Sequence, residues 1–209
     1  MAADQQAEAG PRLNGRTAHS ERVLASLLLP AAAMIREKGI VGASVDDLVN
    51  AVGVSKGTLY YHIRTKEGLL YWIHESVTDE GYARWERAIE ETEGAPATAT
   101  LERMIEEHCA VIHEYRDCVA VISEEMKYLP PGLQHEIRVR RAQYQGLLES
   151  VLARGMKSGE FARLPQRLTA SMMIGTLNSM YRWYDPAGPQ APGELAATAK
   201  TLLLRGLHG

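Results

Sequence analysis

The feature that most constrains the fold of this chain is the stretch SVDDLVNAVGVSKGTLYYH at positions 44–62. Ser44 and Ser55 carry the short hydroxyl side chains that cap helix N-termini, and Asp47 completes a capping-box-like pattern with Ser44. Gly53, between the two capped segments, supplies the tight turn that two crossing helices need. The stretch therefore predicts two short helices joined by a tight turn, a helix-turn-helix.

The rest of the chain follows a helical repeat, and no segment shows the sustained alternation or the β-branched density of a strand. The sequence therefore predicts an all-α fold. We expect a first helix over 21–38 that Gly39 ends as a left-handed cap, with a kink or a late start at Pro30. Thr65 is expected to cap a longer helix, and further helices are predicted over 101–129 (one helix or a kinked pair), 133–157, 168–184 and 194–207.

The formal net charge of −3 hides an uneven distribution. Residues 1–72 carry eight Lys and Arg against seven Asp and Glu, whereas residues 73–209 carry fifteen against nineteen. The basic side chains of Lys56, Arg64 and Lys66 follow one another without an intervening acid. This local positive patch beside the helix-turn-helix suits the phosphate backbone of DNA.

The second helix of the motif carries the side chains suited to reading DNA. Val54 and Leu59 are expected to anchor it inward, and Gly57 lets its N-terminus approach the groove closely. Ser55, at the positive end of the helix dipole, suits one phosphate, and Lys66 suits another. The alternative is a plain helical bundle with an exposed Tyr-Tyr-His surface, which is costly to carry without a partner. The predicted DNA-binding residues are Ser44, Ser55, Lys56, Gly57, Thr58, Tyr60, Tyr61, His62 and Lys66.

The run GVSKGTLYYHIRTKEGLL resembles the end of the DNA-binding domain in the tetracycline-repressor (TetR) family of regulators. The upstream run EKGIVGASVDDLVNAV resembles the same family's first and second helices, so the resemblance covers about residues 27–72. It implies base contacts for Lys56, Thr58 and Tyr61, and backbone contacts for Tyr60, His62 and Lys66.

The resemblance also implies a homodimer that binds double-stranded operator DNA and a small-molecule effector. Three positions depart from the family pattern: Pro30 stands where Ala is usual, and Ile35 and Ile63 stand where Phe is common. These positions concern packing beneath the DNA-binding helix rather than the contact residues. DNA binding is therefore still expected.

Three regions are predicted along the chain. Residues 1–20 lack the apolar centre of a secretory signal, which predicts a disordered arm on a cytoplasmic protein. Residues 21–72 form the predicted three-helix helix-turn-helix DNA-binding domain, and residues 73–209 the helical ligand-binding and dimerisation domain. No apolar run reaches the roughly 18 to 20 residues that span a bilayer, so we expect no membrane contact.

Two C-terminal segments add to the resemblance. RGMKSGEFARL at 154–164 resembles the turn between sensor-domain helices of the TetR family. NSMYRWYDPAG at 178–188, followed by GEL at 193–195, resembles the W-Y-x-P-x-G segment of regulators that respond to acyl-CoA thioesters. The resemblance therefore implies an acyl-CoA effector.

Four residues are candidates for the ligand pocket, each with a structural alternative. Arg182 could clamp an anionic group, or form a surface or dimer salt bridge. Asn178, one turn earlier on the same helix face, could donate to a ligand or lie at the dimer seam. Met126 and Met173 could line an adaptable apolar pocket, although methionines at helical spacing are more often core.

The sequence gives weaker support to other functions. His108, Cys109 and His113 suggest a metal or thiol sensor, but no further ligand accompanies them, and Cys118 is spaced for the opposite side of the helix from Cys109. A regulator of an efflux pump responding to lipophilic compounds is a second alternative. An enzyme is not expected, because there is no nucleophile with a base, no glycine-rich phosphate loop and no metal cluster. We expect no cofactor, no catalytic residue and no metal ligand.

The expected mechanism follows from a dimer. Helices 168–184 and 194–207 of two subunits would form a four-helix seam. This seam would hold two DNA-binding domains roughly 34 to 36 Å apart, the spacing of a palindromic operator. Ligand entry would tilt the helix that carries residues 69–75 and change that spacing.

Overall fold

A computed structural model describes residues 18–53, 55–57 and 65–207. Over these ranges the chain is all-α, as predicted, and no strand occurs. No helix in the described part of the chain is both long and apolar enough to cross a membrane. The α-helices are α1 (Ala18–Gly42), α2 (Val45–Val52), α3 (Lys66–Glu91), α4 (Ala97–Glu124), α5 (Pro131–Ser158), α6 (Gln166–Ser179) and α7 (Pro192–Arg205).

The first helix differs from its prediction at both ends. It begins at Ala18, so Pro30 neither delays its start nor disturbs the helical backbone dihedrals around it. The break is at Gly39, but with φ 69° and ψ 157° this residue is not a left-handed cap, and helical structure continues to Gly42. The chain bends at Gly39 because glycine can adopt a positive φ that residues with a Cβ rarely adopt.

The capping box at the start of α2 is confirmed. The Ser44 hydroxyl accepts from the Asp47 backbone N–H at 3.0 Å, and the Asp47 carboxylate accepts from the Ser44 backbone N–H at 2.9 Å. Gly53 ends the helix in the left-handed conformation (φ 69°, ψ 26°). Leu48 is buried, and Val49 and Val52 pack partly buried against the core. Local chemistry therefore sets the first half of the predicted motif.

Helix α3 runs without interruption from the N-terminal bundle, which contains α1 and α2, to the C-terminal bundle, which contains α4 to α7. Thr65 caps it, as predicted, by accepting from the Gly68 N–H at 3.0 Å. Its buried residues continue from Leu69 through Ile73 and Val77 to Trp85, so apolar packing crosses position 72 along one rigid element.

Helix α4 is the central element of the C-terminal bundle and packs against α1, α3, α5 and α7. A residue with non-helical dihedrals, Tyr115, divides it, which confirms the kinked-pair alternative. Trp85 of α3 is buried against it and donates its indole N–H to the Met104 carbonyl at 2.8 Å. The Trp85 ring also stacks on Tyr144 of α5 at 3.9 Å between ring centroids, which ties three helices together.

The turn after α5 is built around a buried aromatic ring. Gly159 ends the helix with a left-handed φ of 84°, and Phe161 then folds back onto Gly155. The Glu160 carboxylate accepts from the backbone N–H groups of Ala97 and Thr98 at 3.0 and 2.9 Å, and so caps α4. These backbone hydrogen bonds, that from Thr98 above all, hold the pKa of Glu160 at about 2.

Candidate functional site

The start of the predicted DNA-binding helix is on the surface. Ser55, Lys56 and Gly57 are all exposed, and the Lys56 ammonium forms an ion pair with Asp46 of α2. Ser44 is also exposed, but its hydroxyl is committed to capping α2. Four of the predicted contact residues lie outside the described residues: Thr58, Tyr60, Tyr61 and His62. Their contacts with DNA remain predictions.

Lys66 has a structural partner that the sequence did not indicate. Its ammonium donates to the backbone carbonyls of Ile40 and Val41, at 3.2 and 3.5 Å. These carbonyls belong to the last turn of α1, where a cation complements the helix dipole. Lys66 therefore ties the start of α3 to the end of α1, and a phosphate contact remains a prediction.

The C-terminal bundle encloses a cavity of about 360 Å³, at the lower end of the size range of small-molecule sites. Helices α3, α4, α5 and α6 all contribute to its walls. Its lining is mixed, with aliphatic side chains and a smaller number of polar ones. The lining residues are His74, Val77, Thr78, Gly81, His108, Val111, Ile112, Val119, Ile122, Ser123, Arg141, Tyr144, Gln145, Ile174 and Asn178.

Of the four predicted pocket residues, the cavity includes only Asn178. Met173 is buried and Met126 is partly buried against the core, which corresponds to their structural alternative. Arg182 is exposed, and its Nε donates to the Tyr181 hydroxyl at 3.0 Å. The structure therefore does not bring these four side chains together. Arg182 lies in a 3-10 turn after α6, so it no longer shares an α-helical face with Asn178.

A hydrogen-bonded cluster lies inside the cavity wall. The His108 ring is within 3.0 Å of the Asn178 side-chain oxygen through Nε2, and within 2.9 Å of the Tyr144 hydroxyl through Nδ1. Because an amide oxygen only accepts, Nε2 carries the proton and Nδ1 accepts from Tyr144. Burial lowers the pKa of His108 to about 4, so this ring is neutral at pH 7.

A second pair, His74 and Arg141, lies in the same lining. Arg141 donates through Nε to His74 Nε2 at 3.1 Å, which leaves the histidine proton on Nδ1, facing the Thr78 hydroxyl at 3.3 Å. Burial first, and then the charges of Arg141 and Arg140, lower the pKa of His74 to about 3. Arg141 is exposed overall and also lines the cavity, so it lies where the cavity opens to solvent.

These two buried histidines predict a loss of stability in mild acid. A histidine whose pKa is lower in the folded state than in the unfolded state contributes stability that is fully present above pH 6.5 and declines below it. Between pH 7 and 5 each should lower the free energy of unfolding by about 2 kcal/mol. His108→Gln should roughly halve this decline, as measured by urea denaturation at both pH values.

The matched control for this measurement is His135→Gln, because His135 is an exposed histidine. This variant should keep the full decline of the unaltered protein. An unchanged decline in His108→Gln would mean that His108 is not held neutral by burial.

The residues of the metal or thiol alternative have other partners. His108 is bonded as described, and His113 lies 3.0 Å from the Tyr184 hydroxyl through Nδ1. Cys109 and Cys118 are both buried and unpaired, and burial raises the pKa of their thiols to about 11 and 12. A thiol that stays protonated at neutral pH is a poor nucleophile and a poor metal ligand. No group of three metal-ligating side chains occurs within the described ranges.

Sequence reasoning missed most of the polar residues of the cavity. As sequence, His74 is a lone histidine, and Arg141 stands among other basic residues of α5 without distinction. The available signal was His108, a polar residue in register with the apolar face of α4, which indicated a buried partner for it.

Comparison with known proteins gives the family. Residues 27–71 match the family model of the bacterial regulatory proteins of the tetR family, and residues 94–207 match the tetracyclin repressor-like C-terminal domain. The chain belongs to the TetR family. This TetR-family chain is 26% identical to the transcriptional repressor KstR2 of Rhodococcus jostii, over 87% of this chain and 89% of that protein.

Two solved structures share the fold, the first of them a TetR-family regulator. PfmR from Thermus thermophilus is 32% identical, with a TM-score of 0.78 over 88% of this chain and 99% of that one. AibR, solved in complex with isovaleryl coenzyme A and operator DNA, is 21% identical, with a TM-score of 0.73 over 87% of this chain and 98% of that one. The helix-turn-helix predicted at 44–62 therefore lies within the TetR DNA-binding domain. Most of the cavity lining lies within the TetR C-terminal domain, and the remainder comes from α3 between the two matched ranges.

Proposed function

We propose that this TetR-family protein is a dimeric repressor that binds a palindromic operator and is released when an acyl-CoA thioester occupies the cavity. One observation carries the proposal. Helices α3 and α4, which supply most of the cavity lining, are also the helices on which the N-terminal bundle rests. A ligand between them can therefore change the position of the DNA-binding helix.

The second half of α4 offers the most direct path. Val119, Ile122 and Ser123 of this half line the cavity. The same half of α4 also contacts α1 in the N-terminal part of the chain, because Asp117 forms an ion pair with Arg36. The break at Tyr115 lets this half move separately from the first half.

A further contact reaches the break in α1. The Glu125 carboxylate, directly after α4, accepts from the Ile40 backbone N–H at 3.1 Å. Ile40 follows Gly39, and Lys66 bonds to the Ile40 carbonyl. Displacement of the end of α4 would therefore be passed to α1 and to the start of α3 together. Repression is relieved if the ligand favours a spacing of the two DNA-binding domains that no longer fits the operator.

The dimer is supported by an exposed apolar surface on the last helices. Leu168 and Met172 on α6, Leu202 on α7 and Trp183 after α6 are 58 to 70% exposed. Leu168 and Met172 are one turn apart on the same face of α6, and large apolar side chains that share a face seldom point only into water. These are the helices for which the sequence predicts a four-helix seam.

The effector class is supported by the chemistry of the cavity and by the fold. Aliphatic walls with a few hydrogen-bonding groups suit an acyl chain that carries a carbonyl. AibR shows that a protein of this fold accommodates both an acyl-CoA and operator DNA. The W-Y-x-P-x-G-like segment at 183–188 adds to the same proposal.

The test is a gel-shift titration with DNA from upstream of the protein's own gene, with and without acyl-CoA thioesters from acetyl to palmitoyl. We expect a shift at nanomolar protein that one of the thioesters releases, and a dimeric mass by light scattering. A shift that no thioester releases would keep the repressor and reject the effector class. A monomer, or the absence of any shift, would reject the operator-binding dimer.

A further inference from the structure

Among the described residues, Arg141 is the only charged side chain of the cavity lining, and it has no counter-ion there. Its described residues include no Asp or Glu, and none of the carboxylates in the described part of the chain forms an ion pair with Arg141. Its neighbour Arg140 is different, since it pairs with both Glu75 and Asp79. Burial lowers the pKa of the Arg141 guanidinium, with no opposing contribution from an acid. A partly desolvated cation without an anion is costly, and a bound anion would relieve that cost.

The guanidinium is held in place at one edge only. Its Nε donates to neutral His74, and its Nη2 reaches the Ile122 carbonyl at 3.5 Å, the limit of a hydrogen bond. Within the described residues Nη1 has no partner. The planar fork is therefore oriented by His74, and N–H groups remain available at the mouth of the cavity.

Two side chains of the cavity lining, Arg141 and Asn178, keep N–H donors without a partner among the described residues. His108 uses the side-chain oxygen of Asn178, so the Asn178 amide nitrogen is left without a partner in the described part of the chain. The ring nitrogens of His108 and His74 are all occupied by the contacts described above. A ligand that satisfies these free groups must therefore present oxygen acceptors.

We propose that Arg141, oriented by His74, binds the oxygen-bearing end of an effector that is an apolar carboxylic acid or its thioester. This rests on the proposed function, in which the cavity is the effector site. The free acid and its thioester share one chemistry, an apolar body that ends in oxygen acceptors. The body is received by the aliphatic lining residues Val77, Val111, Ile112, Val119, Ile122 and Ile174.

Isothermal titration of the protein without DNA tests this, with octanoate, octanoyl-CoA and octan-1-ol as probes. Octanoate or octanoyl-CoA should bind, and octan-1-ol should bind at least about 10-fold more weakly because it lacks an anionic or carbonyl oxygen. Arg141→Gln should weaken the bound probe by about 10- to 100-fold, the loss expected for hydrogen bonds to a charged group. The tighter binder of octanoate and octanoyl-CoA identifies whether the effector is the free acid or the thioester.

Arg138→Gln is the matched control, because it removes the same charge from an exposed position on α5 outside the cavity. It should keep the affinity of the unaltered protein. Arg141→Met, which removes the charge and retains the bulk, replaces Arg141→Gln if thermal melting shows that the latter does not fold. The proposal is overturned if the folded Arg141 variant binds as tightly as the unaltered protein, if octan-1-ol binds equally well, or if neither acid nor thioester binds below about 1 mM.

Operator binding by unliganded protein separates this proposal from the previous one. Arg138→Gln should shift operator DNA as the unaltered protein does, since Arg138 is exposed and lies outside the cavity. If the unaltered protein does not shift operator DNA, the proposed repressor function is rejected. The calorimetric result would still decide whether Arg141 binds the ligand.

Discussion

Tyr61→Ala is expected to weaken specific operator binding by about 10- to 100-fold and to leave the dimer intact, because one good base contact contributes about 1 to 3 kcal/mol of discrimination. Tyr61 lies outside the described residues, and its role follows from the resemblance to the TetR DNA-binding helix. The residues that precede it, Ser55 to Gly57, are exposed, as a helix that enters a groove requires. Fluorescence anisotropy at one fixed salt concentration, with operator and scrambled duplexes, measures the change.

Tyr128→Ala is the control for Tyr61→Ala. Tyr128 is a partly exposed tyrosine, 45% accessible, in the short 3-10 helix after α4 and outside the predicted motif at 44–62. This variant should keep operator affinity, and both variants should remain dimeric by light scattering. Operator affinity retained in Tyr61→Ala would show that the base-contacting helix has been misplaced.

Gly155→Ala is expected to lower the free energy of unfolding by about 3 kcal/mol, the upper range of overpacking in a core. A Cβ added at Gly155 would lie 2.1 Å from Cδ2 of Phe161, far inside van der Waals contact. The ring cannot move away easily, because Phe161 is buried and its backbone N–H donates to the Gly155 carbonyl at 3.0 Å. Urea denaturation at pH 7 measures the loss.

Gly146→Ala provides a comparison on the same helix. Gly146 is exposed, and a Cβ added there would meet nothing within 4 Å. Alanine is the better helix former, so this variant should be more stable by about 0.5 to 1 kcal/mol. Adding Phe161→Leu to Gly155→Ala should restore part of the loss, since a smaller side chain leaves room for the methyl group. Equal stability of the two alanine variants would contradict the packing of Phe161 on Gly155.

Local sequence chemistry was sufficient for much of the fold. Ser44, Gly53 and Thr65 cap and terminate helices where predicted, because a cap is formed by side chains and backbone groups within three or four residues. The helical class followed from the apolar repeat for the same reason. Pro30 shows the limit of such reasoning, since the helix passes through it and the break falls at Gly39 instead.

The TetR family and the helix-turn-helix were thus determined by the sequence itself, since both depend on the spacing of residues within one contiguous segment. The effector cavity was decided only by the tertiary structure. Its walls come from four helices, and the sequence shows which face of a helix is apolar but not which neighbour covers it. Arg182 and Arg141 look alike as sequence, yet Arg182 ends on the surface and Arg141 lines the cavity without a carboxylate. Only the three-dimensional arrangement fixes whether a charge has a partner, because Coulomb interactions and desolvation depend on distance in space and not on separation along the chain.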